Sequence, residues 1–156
     1  MDNIFDKFNQ VYGGQALAKE VDEITKNGGS GENVPYGRYE VRIEKLELTS
    51  SKSNKPMLTV WFKVIAGTQK DRIIFMNQLL DAAFKIHIAN EFLKSLDTGV
   101  DVKFDGDFNH YAATIKNVYS DLTVDGLEYQ LNYFENKKGF DEFKIEEVFE
   151  TKFEEN

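Results

Sequence analysis

Between Arg38 and Leu48 the apolar residues alternate with polar ones, lose step once, and then alternate again. Tyr39, Val41 and Ile43 take one side while Arg38, Glu40, Arg42 and Glu44 take the other; the apolar set resumes at Leu46 and Leu48, one residue out of phase. Side chains along a strand have a period of two, so a one-residue slip would turn every later apolar side chain to water unless the strand bulges. The spacing therefore predicts a β-bulge near Glu44-Lys45 in a long strand with one wet face. A long strand that bends partway can serve both halves of a small closed sheet, which points to a barrel. The next apolar stretch, Met57 to Ile65, keeps strict phase: Leu58, Val60, Phe62 and Val64 form one face and leave Thr59, Trp61 and Lys63 on the other. The single tryptophan is thus expected outward, beside a lysine.

Further along, Arg72 to Gln78 is expected to be a third strand, whose facing the sequence leaves open because Ile73, Ile74, Phe75 and Met76 are all apolar. Leu80, Phe84, Ile88, Phe92 and Leu96 recur every four residues and predict a helix over 79–96, with Gly99 as its stop. Asp107 to Tyr119 predicts a second helix through Phe108, Tyr111, Ile115 and Val118. A hairpin follows, with Tyr129, Leu131 and Tyr133 on one arm, Phe143 and Ile145 on the other, and a basic tip at Glu135-Asn136-Lys137-Lys138-Gly139. Ahead of all this, residues 1–33 have apolar spacing suited to two short helices and a Gly28-Gly29-Ser30-Gly31 link. The expected organisation is an N-terminal helical arm at 1–33, one domain at 34–149 and an acidic tail at 150–156.

Three strands, a helix and two strands is the element order of the oligonucleotide-binding (OB) fold. The expected class is mainly β: a five-stranded OB barrel with a helix between strands three and four, an extra helix before strand four and the N-terminal arm. In that fold the ligand crosses strands two and three between the loop after strand one and the loop between strands four and five, so lysines in both loops are expected to converge on Trp61.

The net charge of −8 opposes nucleic-acid binding as a single number, but its distribution does not. Residues 36–75 hold eight basic side chains against four acidic ones, whereas residues 141–156 hold seven acids against Lys144 and Lys152. There is no cysteine, which removes disulfides, thiolate metal sites and cysteine nucleophiles, and the two histidines, His87 and His110, lie on separate segments. No metal or cofactor is expected. The chain lacks a phosphate-cradling glycine loop, and Asp101, Asp105 and Asp107 read as loop and helix-cap residues rather than a two-metal cluster, so the expectation is a protein that is not an enzyme. Without an apolar run long enough to cross a bilayer or a leader pattern at Met1-Asp2-Asn3-Ile4, the expected location is the cytoplasm, away from membranes.

The chemistry left is that of a single-strand binder, which stacks bases on aromatic rings and neutralises phosphates beside them. Trp61 with Lys63 supplies this combination on strand two, and Phe134 and Phe140 flanking Lys137-Lys138 supply it again at the hairpin tip. Arg38, Arg42, Lys52, Lys55 and Arg72 would track phosphates. Phe149 and Phe153 among the terminal glutamates suit either a docking peptide for replication or recombination proteins or a strand mimic that lies in the basic groove when DNA is absent. The alternative from another class is a protein-interaction barrel that uses the same face against an acidic protein and modulates a host or phage replication factor.

The stretches Val34-Pro35-Tyr36-Gly37-Arg38-Tyr39-Glu40-Val41 and Thr49-Ser50-Ser51-Lys52-Ser53-Asn54-Lys55-Pro56-Met57-Leu58 resemble a family of phage proteins, formerly catalogued as of unknown function and now called phage single-stranded-DNA-binding proteins. Asn90 to Leu96 and the closing Phe134 to Val148 hairpin are similar to later parts of the same family. The resemblance implies an OB fold, a single-stranded DNA ligand and a role in phage replication or recombination in the host cytoplasm. The arm and the Asp107–Tyr119 helix, which looks like an insertion, would then serve homodimer contacts or narrow the groove.

Overall fold

The computed structural model describes residues 34–150. The expected N-terminal helices at 1–33 and the tail from Thr151 onward lie outside the described residues. Five strands and two helices follow in the order β1 (Gly37–Ser50), β2 (Pro56–Val64), β3 (Ile73–Leu79), α1 (Ala83–Ser95), α2 (Phe108–Val124), β4 (Leu127–Glu135) and β5 (Asp141–Glu150). All strand pairings are antiparallel, and the strands form one sheet in the order β3-β2-β1-β4-β5. The protein is mainly β, with helices.

β1 is the spine of the sheet. Its first part, Gly37 to Val41, pairs with β4, and its later part, Val41 to Ser50, pairs with β2. The register with β2 shifts between Ile43 and Lys45, where the sequence places the bulge. The bulge keeps Val41, Ile43 and Leu46 all buried on the inner face. Because β4 stops pairing at Val41, the Glu44 carbonyl has no strand partner on that side; the Tyr119 hydroxyl of α2 donates to it instead, at 2.9 Å.

The sheet is strongly curled. Phe62 on β2 and Phe143 on β5 are three strand positions apart, about 14 Å in a flat sheet at roughly 4.8 Å per strand. Their rings nevertheless stack, with centroids 6.0 Å apart and planes at 16°. Phe92 of α1 meets Phe62 edge-on at 5.9 Å, so β2, β5 and α1 share one core. Curling does not go to completion, and this corrects the expectation of a closed barrel: among the described residues β3 and β5 are the two edge strands and no ladder joins them. The reason is that α1 contacts both edge strands, and its side chains fill the inner face beside them.

The helices depart from expectation in detail. β3 runs on to Leu79, paired with Met57, and the Leu80 amide donates to the Pro56 carbonyl at 2.9 Å. These ladder bonds hold the chain extended, and α1 starts at Ala83 rather than at 79. Its buried residues are Ala89, Phe92 and Leu93, followed by Leu96 at its C-cap. A step of four residues overshoots one helical turn by about 40°, so the stripe Leu80-Phe84-Ile88-Phe92-Leu96 winds around the axis. Phe84 and Ile88 consequently stand 65% and 47% exposed. The helix stop falls at Leu96, with Asp97 in the left-handed region at φ 57°, two residues before Gly99. α2 extends five residues past Tyr119 and buries Tyr111, Ile115, Val118 and Leu122. Tyr111 donates to Asn90 Oδ1 of α1 at 2.6 Å, and burial pushes its hydroxyl up to about 12.

Candidate functional site

The outer face of β1, β2 and β3 is built by pairing register. With the bulge in place, Lys45 sits opposite Trp61, and Trp61 sits opposite Phe75, so the three form one row across three strands. The row behind it is Arg42, Lys63 and Ile73; the row in front is Glu47, Thr59 and Asn77. Trp61 is partly buried and Phe75 is 40% exposed, while their strand neighbours Phe62 and Ile74 are sealed in the core. The two rings meet edge to face, with centroids 5.4 Å apart and planes at 85°. On the β1 side the Lys45 ammonium lies 4.5 Å from the centre of the indole. Thr59 is 6% exposed and its hydroxyl is satisfied by that of Thr49 at 2.6 Å.

Every cation around this pair has an acid beside it. Arg42 pairs with Glu44 at 3.0 Å, Lys45 with Glu47 at 3.2 Å, and Lys63 Nζ stands 3.9 Å from Asp71. All three pairs are substantially open to solvent, where an ion pair contributes about 0–1 kcal/mol. Pairs this weak hold neither partner firmly, so each cation can exchange its carboxylate for another anion.

The remaining expected residues spread along β1 rather than gathering on Trp61. Lys52 and Lys55 lie in the loop past the Ser50 end; Lys55 pairs with Asp81 at 3.1 Å, and Lys85 donates to the same carboxylate at 2.8 Å. These two lysines, Lys85 foremost, hold the Asp81 carboxyl well below the usual range, at about 2. Arg72 sits in the loop before β3 and donates to Gln69 at 2.8 Å. Arg38 faces the β4–β5 side, where it pairs with Glu146 at 2.7 Å. The β4–β5 tip lies beyond the Gly37 end of β1. There the Asn136 carboxamide accepts the amides of Lys138 and Phe140, at 2.9 and 3.1 Å, and Gly139 takes φ 84°. The turn leaves the Lys137 and Lys138 side chains exposed, with Phe140 66% exposed and Phe134 partly buried.

Convergence of the two lysine loops on Trp61 is therefore a correction. At about 3.3 Å per residue, the Ser50 end lies roughly 17 Å along β1 from Lys45 and the Gly37 end roughly 26 Å the other way. The register joins Trp61, Lys63 and Arg42; Lys52 and Lys55 form one outpost, and Phe134, Lys137, Lys138 and Phe140 another. Lys45 and Phe75 belong to the central group and were missed. The bulge signal could have found Lys45, since it brings residue 45 rather than 44 opposite Trp61. Nothing in the unbroken apolar run of β3 marks Phe75 as outward.

A cleft of about 330 Å³ runs along the other edge of β1, between residues Glu44 to Leu48 and Ala112, Lys116 and Tyr119 of α2. Lys45 lines it, and so stands between the cleft and the aromatic pair. Asp107 caps α2 by accepting from the Asn109 amide at 2.8 Å, and Asp105 accepts from the Asp107 amide at 2.9 Å and holds His110 Nδ1 at 2.7 Å. Among the described residues no group of three or more acidic or histidine side chains is arranged to hold a metal ion, and no helix is long and apolar enough to cross a membrane.

Residues 20–146 match the model of a family described as "Protein of unknown function (DUF669)". No curated protein matches the chain.

Proposed function

The chain belongs to the DUF669 family, and from the geometry of its outer face we propose that it is a phage-type single-stranded-DNA-binding protein that coats and protects DNA during replication or recombination, without catalysing a reaction. The observation that carries this reading is the row Lys45-Trp61-Phe75 with Lys63 and Arg42 behind it. It puts two aromatic rings and three cations on one solvent-facing patch, which is the combination that sequence-tolerant single-strand binding needs. Each base stacked there is worth about 1–3 kcal/mol.

The strand order supports an OB reading as well. In an OB barrel the two strands that close the ring are the third and the fifth, and these are the two edge strands of this sheet; OB barrels are commonly left partly open. The ligand of such a fold crosses strands two and three, where Trp61 and Phe75 stand. The outposts at Lys52-Lys55 and Lys137-Lys138 stand toward opposite ends of β1, to either side of that crossing, and would be reached only by a strand that turns along β1.

The test is a titration with a thymidine oligonucleotide. Trp61 emission is quenched on binding, and the affinity falls steeply as salt rises; absence of both quenching and a mobility shift at low salt removes the reading. Single-stranded DNA incubated with the protein and Mg²⁺ stays intact. A second reading, a protein-interaction module, is favoured by the cleft beside the edge of β1 that β4 leaves unpaired, since an extended peptide can add to such an edge. It gains if oligonucleotides fail and a protein partner is lost on Lys116→Glu.

A further inference from the structure

We propose that Lys45 is a displaceable cover on the Trp61 ring: in the free protein its ammonium occupies the indole face that a base takes, and binding moves it from ring to phosphate. This rests on the reading of the outer face as a single-strand site.

Trp61 stands between two neighbours, Phe75 from β3, whose ring packs edge to face against it, and Lys45 from β1, whose ammonium lies 4.5 Å from the ring centre. Phe75 packs against the indole at right angles from its own strand, whereas the Lys45 ammonium lies over the ring on a flexible side chain, so Lys45 is the neighbour that can leave. Two contacts park the lysine there: the ring, and the Glu47 carboxylate at 3.2 Å. Both are weak at a solvent-exposed site, weaker than a base–aromatic stack and a phosphate contact made together. The lysine also has somewhere to go, because it lines the cleft between β1 and α2 as well as the ring. Lys63, by contrast, stands 3.9 Å from Asp71 and, among the described residues, lies over no ring, so it can meet a phosphate without uncovering one. The bulge between Ile43 and Lys45 is what makes the cover possible, for without it Glu44 would stand opposite Trp61.

The experiment follows Lys45 by NMR together with Trp61 fluorescence, using the full chain and a thymidine oligonucleotide. In the free protein the Lys45 Cε protons lie upfield, shifted by the indole ring current. On addition of the oligonucleotide they return to the ordinary lysine position as Trp61 emission is quenched. Lys45→Ala makes Trp61 of the free protein more accessible to acrylamide, leaves maximal quenching by DNA unchanged, and makes the plot of log affinity against log salt shallower by about 0.7, one phosphate contact on a single strand. Lys45→Arg restores the slope.

Lys45 protons that stay upfield while Trp61 is quenched overturn the proposal but not the function. So does a salt slope unchanged in Lys45→Ala. If the Lys45 protons are upfield in the free protein but the oligonucleotide changes neither fluorescence nor mobility, the single-strand reading fails and the proposal falls with it.

Discussion

Trp61 and Phe62 are consecutive residues on β2 with opposite surroundings, and the pleat alone separates them. Phe62 is fully buried between Phe92 and Phe143, so Phe62→Ala is expected to cost about 3–5 kcal/mol in urea unfolding. Trp61 loses one edge-to-face pair and one exposed cation contact, so Trp61→Ala costs less than about 2 kcal/mol. Its oligonucleotide affinity drops by the value of one stack, about 1–3 kcal/mol. A Trp61→Ala protein as unstable as Phe62→Ala would place the indole in the core. His110 is the other residue with a sharp expectation. The Asp105 carboxylate bonded to its ring, followed by the nearby Asp107 charge, raises its pKa above the ordinary 6.5, and the same bond lowers the Asp105 pKa from 3.8. A raised histidine pKa stabilises below 6.5 and is lost as pH rises through the folded value; a lowered carboxyl stabilises above 3.8 and is lost as pH falls through its folded value. The pair therefore contributes most between about pH 3.8 and 6.5. Titration of the His110 ring protons should give a midpoint above 6.5 that moves down in Asp105→Asn.

At the scale of elements, the bulge of β1 was legible because a phase slip in an alternating pattern has few other physical solutions, and the outward placing of Trp61 followed from an unbroken period of two. The boundaries and the buried face of α1 were not. Its apolar residues recur every four, and the sheet accepts only the part of that winding stripe that faces it, while the β2–β3 ladder removes the first four expected helical residues. The consequence is measurable within one helix. Phe92→Ala, at 6% exposure against Phe62, should cost about 3–5 kcal/mol. Phe84→Ala, at 65% exposure, should stay within about 0.5 kcal/mol. Equal costs would mean that the N-terminal half of α1 is covered in solution.

For the whole molecule the charge pattern matters more than the net charge of −8. If a single strand touches only Arg42, Lys45 and Lys63, log affinity should fall against log salt with a slope of about −2, at roughly 0.7 per phosphate; engagement of the distant hairpin lysines as well would steepen it beyond −3. Measuring that slope in the intact protein and in Lys137→Ala/Lys138→Ala distinguishes a short central site from one spanning β1. What the sequence determined by itself was local: the strands, the bulge and the face each side chain takes on the alternating strands β1 and β2, because pleat and period act between near neighbours; on the all-apolar β3 the facing was left to the tertiary structure. Which outward residues meet across strands, whether β3 and β5 close the ring, and how far apart the lysine loops lie were decided by tertiary structure. Those depend on register and curl, which are set by Phe62, Phe92 and Phe143 packing together from segments far apart in the chain.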